Sequence, residues 1–165
     1  MKKYLPVICR NSMPEIAPFK LNEENLPFFR FLISESPEWQ KEETEEEGLQ
    51  DYMRSYQMIG GEWLVWKEAD APIGISYHAE WVPSNEKAWL GTLLLHPDCR
   101  NRGYGKKIIQ AIAVNLKQAG HKVLFAACPE EQDNWTQFLC HCGFEQLKRE
   151  IAQSGKYFLI LILPL

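Results

Sequence analysis

The stretch LLLHPDCRNRGYGKKII, Leu93 to Ile109, decides how this chain folds. An apolar strand runs into a polar turn that holds Arg100, Arg102, Gly103 and Gly105, then passes through Lys106 and Lys107 into a helix. Glycines at 103 and 105 permit positive φ and let a ligand approach the backbone without a Cβ in the way. Successive amide N–H groups at such a turn and at the helix N-terminus point into one concavity, which suits an anion. The four basic side chains add positive charge there. A pyrophosphate is the natural guest.

Two familiar nucleotide loops fail on this stretch. The phosphate loop of NTPases requires GxxxxGK followed by Ser or Thr, whereas Gly105-Lys106 is followed by Lys107 and the position five before Gly105 is Arg100. The dinucleotide fingerprint GxGxxG requires a third glycine where Ile108 stands, and no βαβ unit with the right start precedes it.

Working outward, Gly105 to Gln118 carries Ile108, Ile109, Ile112, Ala113 and Leu116 at helical spacing, and Gly120 is a natural stop. Val123 to Ala127 is continuously apolar, as in a strand covered on both faces. Strand 88–96, helix 105–118 and strand 122–128 therefore form a crossover with the two strands parallel. A helix over Gln132 to Cys142 ends at Gly143, and strands over 144–151 and 157–163 come after it. Upstream, the alternation from Glu62, a turn at Asp70-Ala71-Pro72 and a loop at Pro83-Ser84-Asn85 give an antiparallel three-strand meander over 62–96. Residues 1–60 are less regular. Asn22 and Asn25 start one helix with Phe28, Phe29, Leu32 and Ile33 as its stripe. A second helix is expected from Pro37 to Gln57, burying Trp39, Leu49, Tyr52, Met53 and Tyr56. The acidic run Glu42 to Glu47 reads as its wet side, or as an acidic rim that attracts a positive substrate. The fold class is α+β, a single domain over 1–165 with a mixed sheet and about four helices.

Arg100-Asn101-Arg102-Gly103-Tyr104-Gly105, with its strand, its helix and the later Gly143-Phe144 in register, resembles the GNAT superfamily of acetyl-CoA-dependent N-acetyltransferases. The likeness runs from about Glu62 to the C-terminus. It implies a GNAT-like fold, acetyl-CoA as cosubstrate, and transfer of an acetyl group to a primary amine by direct attack. The amine would belong to a small molecule, a peptide N-terminus or a lysine. Carried over by residue, Arg100, Asn101, Arg102, Gly103, Tyr104, Gly105 and the amide of Lys106 would bind the pyrophosphate. The backbone of Leu93, Leu94 and Leu95 would pair with the pantetheine arm where that strand splays from Val123–Ala127, leaving backbone groups that the arm satisfies.

The sequence departs from that pattern in the helix before Gly143. The tyrosine that many members use to protonate the departing thiolate falls on Leu139. The family's asparagine falls on Gln132, with Asn134 two positions on taking the cofactor contact. A catalytically silent acyl-CoA-binding module is the alternative that Leu139 keeps open. For the base, Glu80 is the first candidate, on the strand beside 88–96, and His96 the second. Trp39 and Trp81 are candidates for an acceptor pocket.

Other features exclude more than they assign. The net charge of −4 argues against a nucleic-acid partner and agrees with a cationic substrate. Cys140 and Cys142 point about 200° apart on a helix and cannot share an ion, so no metal is expected. No apolar run approaches the roughly 18 residues of a membrane span, and the five-residue stretch before Cys9 is too short for a signal peptide. A cytoplasmic location follows, with the five cysteines reduced. The apolar terminal strands are compatible with a homodimer.

Overall fold

In the computed structural model, residues 15–43, 48–57 and 59–165 are described. In chain order they form β1 (Ile16–Lys20), α1 (Leu26–Ser34), α2 (Pro37–Glu43), α3 (Leu49–Gln57), β2 (Glu62–Glu68), β3 (Ala71–Ala79) and β4 (Ala88–Leu95). They continue with α4 (Tyr104–Gln118), β5 (Val123–Pro129), α5 (Asp133–His141), β6 (Glu145–Ile151) and β7 (Tyr157–Pro164). The seven strands make one mixed sheet in the order β1-β2-β3-β4-β5-β7-β6.

The meander, the crossover and the terminal strands lie where the sequence puts them. Only β4 and β5 are parallel, and their ladder is short: Ala88, Trp89 and Leu90 pair with Leu124, Phe125 and Ala126. Beyond Leu90 the two strands separate. β4 stays on β3, with Leu93, Leu94 and Leu95 opposite Ser76, Ile75 and Gly74, while β5 stays on β7. A register shift between Tyr77 and His78 leaves Gly91 as the extra residue at the point of departure. Bulges of this kind bend a strand and re-aim the residues beyond the bend. Gly91 is required there, because a Cβ would lie 2.8 Å from Cδ1 of Tyr77.

Two hydrophobic clusters hold the helices. In one, Ile108, Ile109, Ile112 and Leu116 of α4 pack with Leu90, Leu93, Leu124, Leu139, Phe144 and Leu161. Each such side chain, fully buried, contributes on the order of 1.5–3 kcal/mol. In the other, Phe29, Leu32 and Tyr52 pack with Trp63, Val65, Ile75, Tyr77 and Leu94.

Three expectations change. A strand, β1, precedes α1, where only helices were expected. Pro18 lies in its middle, and proline confines a strand to a sheet edge; among the described residues β1 pairs with β2 alone. The single helix over 37–57 is two helices, α2 and α3, and residues 44–47, with most of the acidic run, lie outside the described residues, as does Cys9. β5 is covered unevenly. Leu124, Ala126 and Cys128 are buried but Ala127 is exposed, because it faces the gap left by β4. Asn22 and Asn25 form a capping box, each side chain taking a backbone N–H at 3.0 Å, but it caps the 3-10 turn Glu23–Asn25 that leads into α1, and no side-chain bond from Asn25 caps α1 itself.

Candidate active site

The turn between β4 and α4 is built by its own short contacts. A 3-10 turn over Pro97–Cys99 is capped by His96, whose Nδ1 accepts from the amide of Asp98 at 3.2 Å. Asn101 (φ 57°) and Gly103 (φ 85°) then take left-handed conformations that swing the chain into α4. Gly103 is the N-cap of α4, and among the described residues no side chain caps its first turn. The first-turn amides at the positive end of a fifteen-residue helix are thus left to a ligand. Gly103, Gly105 and Lys106 line the cavity in front of them.

That cavity, of about 990 Å³, runs between the free edge of β4 and α5, past Leu93, Leu94, Leu95, Asn134 and Phe138. A second cavity, of about 490 Å³, continues past Gly91 and Thr92 toward Trp39, Glu42 and Glu43. Ser36, Leu93, Leu94, Arg100, Asn134 and Trp135 line both, so the two form one trough. The parted strands are its floor. A long anionic ligand fits the residues present: uncapped amides at one end, unpaired strand edge along the middle, and room beyond.

The sequence candidates divide on this geometry. Leu93, Leu94, Leu95, Arg100, Asn101, Gly103, Gly105, Lys106 and Asn134 line the trough. Arg100 does so as a strut: Nε donates to the Leu95 carbonyl at 3.2 Å, and Nη2 to the Glu35 carbonyl at 3.1 Å and Ser36 Oγ at 3.2 Å. Arg102 donates to the Asp98 carbonyl at 3.2 Å and does not line the trough. Tyr104 turns its ring into the core and bonds Glu68, so its side chain faces away from a ligand. Gly105 has a packing reason beyond ligand approach, since a Cβ would meet Cζ of Phe138 at 2.8 Å.

The two base candidates lie apart from the trough. Glu80 follows the end of β3 and sits 3.2 Å from His121 Nε2. His96 is held by its cap and by the rings of Phe28 and Phe31, at 6.5 and 5.2 Å. Neither lines either cavity. Trp39 lines the second cavity, whereas Trp81 is half exposed and does not. Leu139 is fully buried in the core rather than in the trough. Cys140 is exposed and Cys142 half-buried, and among the described residues no cluster of three or more His, Cys, Asp or Glu is placed to hold a metal ion. Sequence reading missed Ser36, Thr92 and Glu43. Only the tyrosines at 52 and 56, one turn apart beside an acidic run, hinted at the last.

Residues 21–144 match the family described as the acetyltransferase (GNAT) family. The chain belongs to that family. A Bacillus subtilis relative, the uncharacterized protein YkzC, is 46% identical over 134 residues, which is 81% of this chain and 94% of that one. Among solved structures, an acetyltransferase from Thermus thermophilus superposes with a TM-score of 0.70 at 19% identity, covering 91% of this chain and 97% of that one. An acetyltransferase from Bacillus subtilis, solved in complex with CoA, gives 0.68 at 14%, covering 93% and 99%. The mixed seven-strand sheet with its parted β4 and β5 is thus the GNAT fold. Among the described residues, no helix is long and apolar enough to cross a membrane.

Proposed function

We propose that this GNAT chain transfers an acetyl group from acetyl-CoA to a primary amine by direct attack. The observation that carries it is the parting of β4 from β5 at Gly91, opposite the uncapped N-terminus of α4. The backbone of Asn101 to Lys106 takes the pyrophosphate. The edge of Leu93 to Leu95 holds the pantetheine arm, with Asn134 across the trough. Acetyl-CoA, so bound, supplies the thioester carbon that the amine attacks. Trp135 and Phe138, stacked at 5.2 Å, wall the trough on the α5 side and keep water from the arm. The CoA complex of the Bacillus subtilis acetyltransferase, a protein of the same fold, supports this choice of cosubstrate. The amine enters from the other end, past Trp39.

Calorimetric titration with acetyl-CoA, followed by thiol release with polyamines, amino sugars and peptides bearing free N-termini or lysines, tests the reading. Tight binding with release on at least one amine is expected. Leu139, buried where many GNAT members place a tyrosine, favours a silent binding module as the second reading. Binding without thiol release on any amine is the result that selects it.

A further inference from the structure

Glu43 stands at the acceptor end of the trough, and its carboxylate is part of a built cluster. Tyr52 and Tyr56, one turn apart on α3, both donate to Oε2, at 3.1 and 3.3 Å. The Tyr52 hydroxyl also lies 3.2 Å from Thr92 Oγ1, so the cluster reaches β4 just past the point where it leaves β5. Trp39 and Trp63 meet the Tyr52 ring edge-on, at 5.4 and 5.8 Å, and fix it. The other carboxylates that line this cavity differ. Glu42 is ion-paired with Lys156 from the turn between β6 and β7, and Glu35 and Glu38 are exposed.

We propose that Glu43 is the catalytic base, and that the acceptor is an amine that arrives as a cation and surrenders its proton to this carboxylate. The inference rests on the acetyl-transfer reading above and adds the residue and the charge state of the acceptor. Both tyrosines occupy Oε2, and Oε1 is the oxygen they leave. One ammonium N–H bond breaks, its electron pair stays on nitrogen, and the proton passes to Glu43. The C–N bond then forms as the thioester C–S bond breaks. The departing sulfur takes the second amine proton, the third stays on the amide, and Glu43 returns the first to water.

The surroundings suit that task. Burial raises the Glu43 carboxyl above its ordinary value, the two tyrosine bonds hold it partly back, and Glu42 adds to the rise. A base moved toward neutrality matches proton affinity to working pH. Burial, then the charge of Glu43, raises both tyrosines, Tyr56 to about 12. They therefore remain donors. Among the described residues, the charged and titratable groups that act on Glu43 are these two tyrosines from α3 and Glu42 on its own helix.

The test compares wild type with Glu43→Gln and Tyr56→Phe. Glu43→Gln is expected to lower kcat by roughly 100-fold or more, the usual share of general-base catalysis, with acetyl-CoA affinity unchanged and the acid limb of the kcat/KM profile gone. Without acetyl-CoA or acceptor, carbon-13 NMR should show the Glu43 carboxyl titrating above the ordinary carboxylate range. It should titrate higher still in Tyr56→Phe, which removes a bond to the charged form. An active wild type with an unaltered pH profile in Glu43→Gln, or an ordinary Glu43 titration, overturns the proposal while leaving acetyl transfer intact. A wild type that binds acetyl-CoA and acetylates no amine overturns both. Should Glu43→Gln fail to fold, the Tyr56→Phe titration and profile decide alone.

Discussion

The Tyr104 hydroxyl donates to Glu68 Oε2 at 2.7 Å, tying the first turn of α4 to the end of β2. The glycine motif therefore contains one side chain that serves the fold and not the ligand. That bond raises the tyrosine above its ordinary range, so it donates throughout the working pH range. Tyr104→Phe is expected to lower the melting temperature and leave acetyl-CoA affinity unchanged. Calorimetric titration beside a thermal melt checks this. Lost affinity with an unchanged melt would return Tyr104 to the ligand.

The motif was legible because its chemistry is local. Gly103 at positive φ, the basic residues and the helix behind them are adjacent in sequence, and so are the strand and crossover that position them. What stayed hidden depends on contacts across the chain. Tyr104 meets Glu68 over 36 residues, and Tyr52 meets Thr92 over 40. No periodicity marks such pairs. Pro18 concealed β1, since a proline inside five residues argues against a strand until an edge is known to be free. Glu80 and Glu43 are both acids at element ends, and only the tertiary packing of β3 and α2 separates the one beside His121 from the one in the trough.

Gly105 faces Phe138 with no space to spare. A Cβ at 105 would lie 2.8 Å from Cζ and 3.0 Å from Cε2 of Phe138, whose ring is stacked on Trp135 and has little room to yield. Gly105→Ala is expected to cost about 1–3 kcal/mol, as overpacking does. It should also weaken acetyl-CoA binding by moving α5 against the trough. Phe138→Leu should relieve much of that cost. A double-mutant cycle in urea measures the coupling, and additive losses would show that the two do not press on one another.

Arg100 bridges three acceptors on two segments, the Leu95 and Glu35 carbonyls and the Ser36 hydroxyl. Lysine carries the charge but not the planar fork that spans them. Arg100→Lys is therefore expected to lose roughly tenfold in acetyl-CoA affinity, about 1.4 kcal/mol, at constant ionic strength. Ser36→Ala, which removes one acceptor, should lose less. Equal affinity in wild type and Arg100→Lys would mean that charge alone matters at this position.

His78 gives the fold a pH dependence of definite sign. It is buried on β3, and its Nδ1 has no hydrogen-bond partner among the described residues. Burial lowers its pKa below the ordinary 6.5, with Glu62 and Glu80 partly opposing. Below that ordinary value the unfolded chain takes up a proton that the folded chain refuses. The contribution of His78 is thus fully present above about pH 6.5 and is lost as pH falls toward the lower folded value. Carboxylates add an acid loss of their own at lower pH, so the comparison must be between variants. Urea unfolding of wild type and His78→Leu at pH 7.5 and 5.5 isolates the contribution. The wild type should lose more stability over that interval than the leucine variant does. Parallel losses would show that His78 protonates as readily in the fold as outside it.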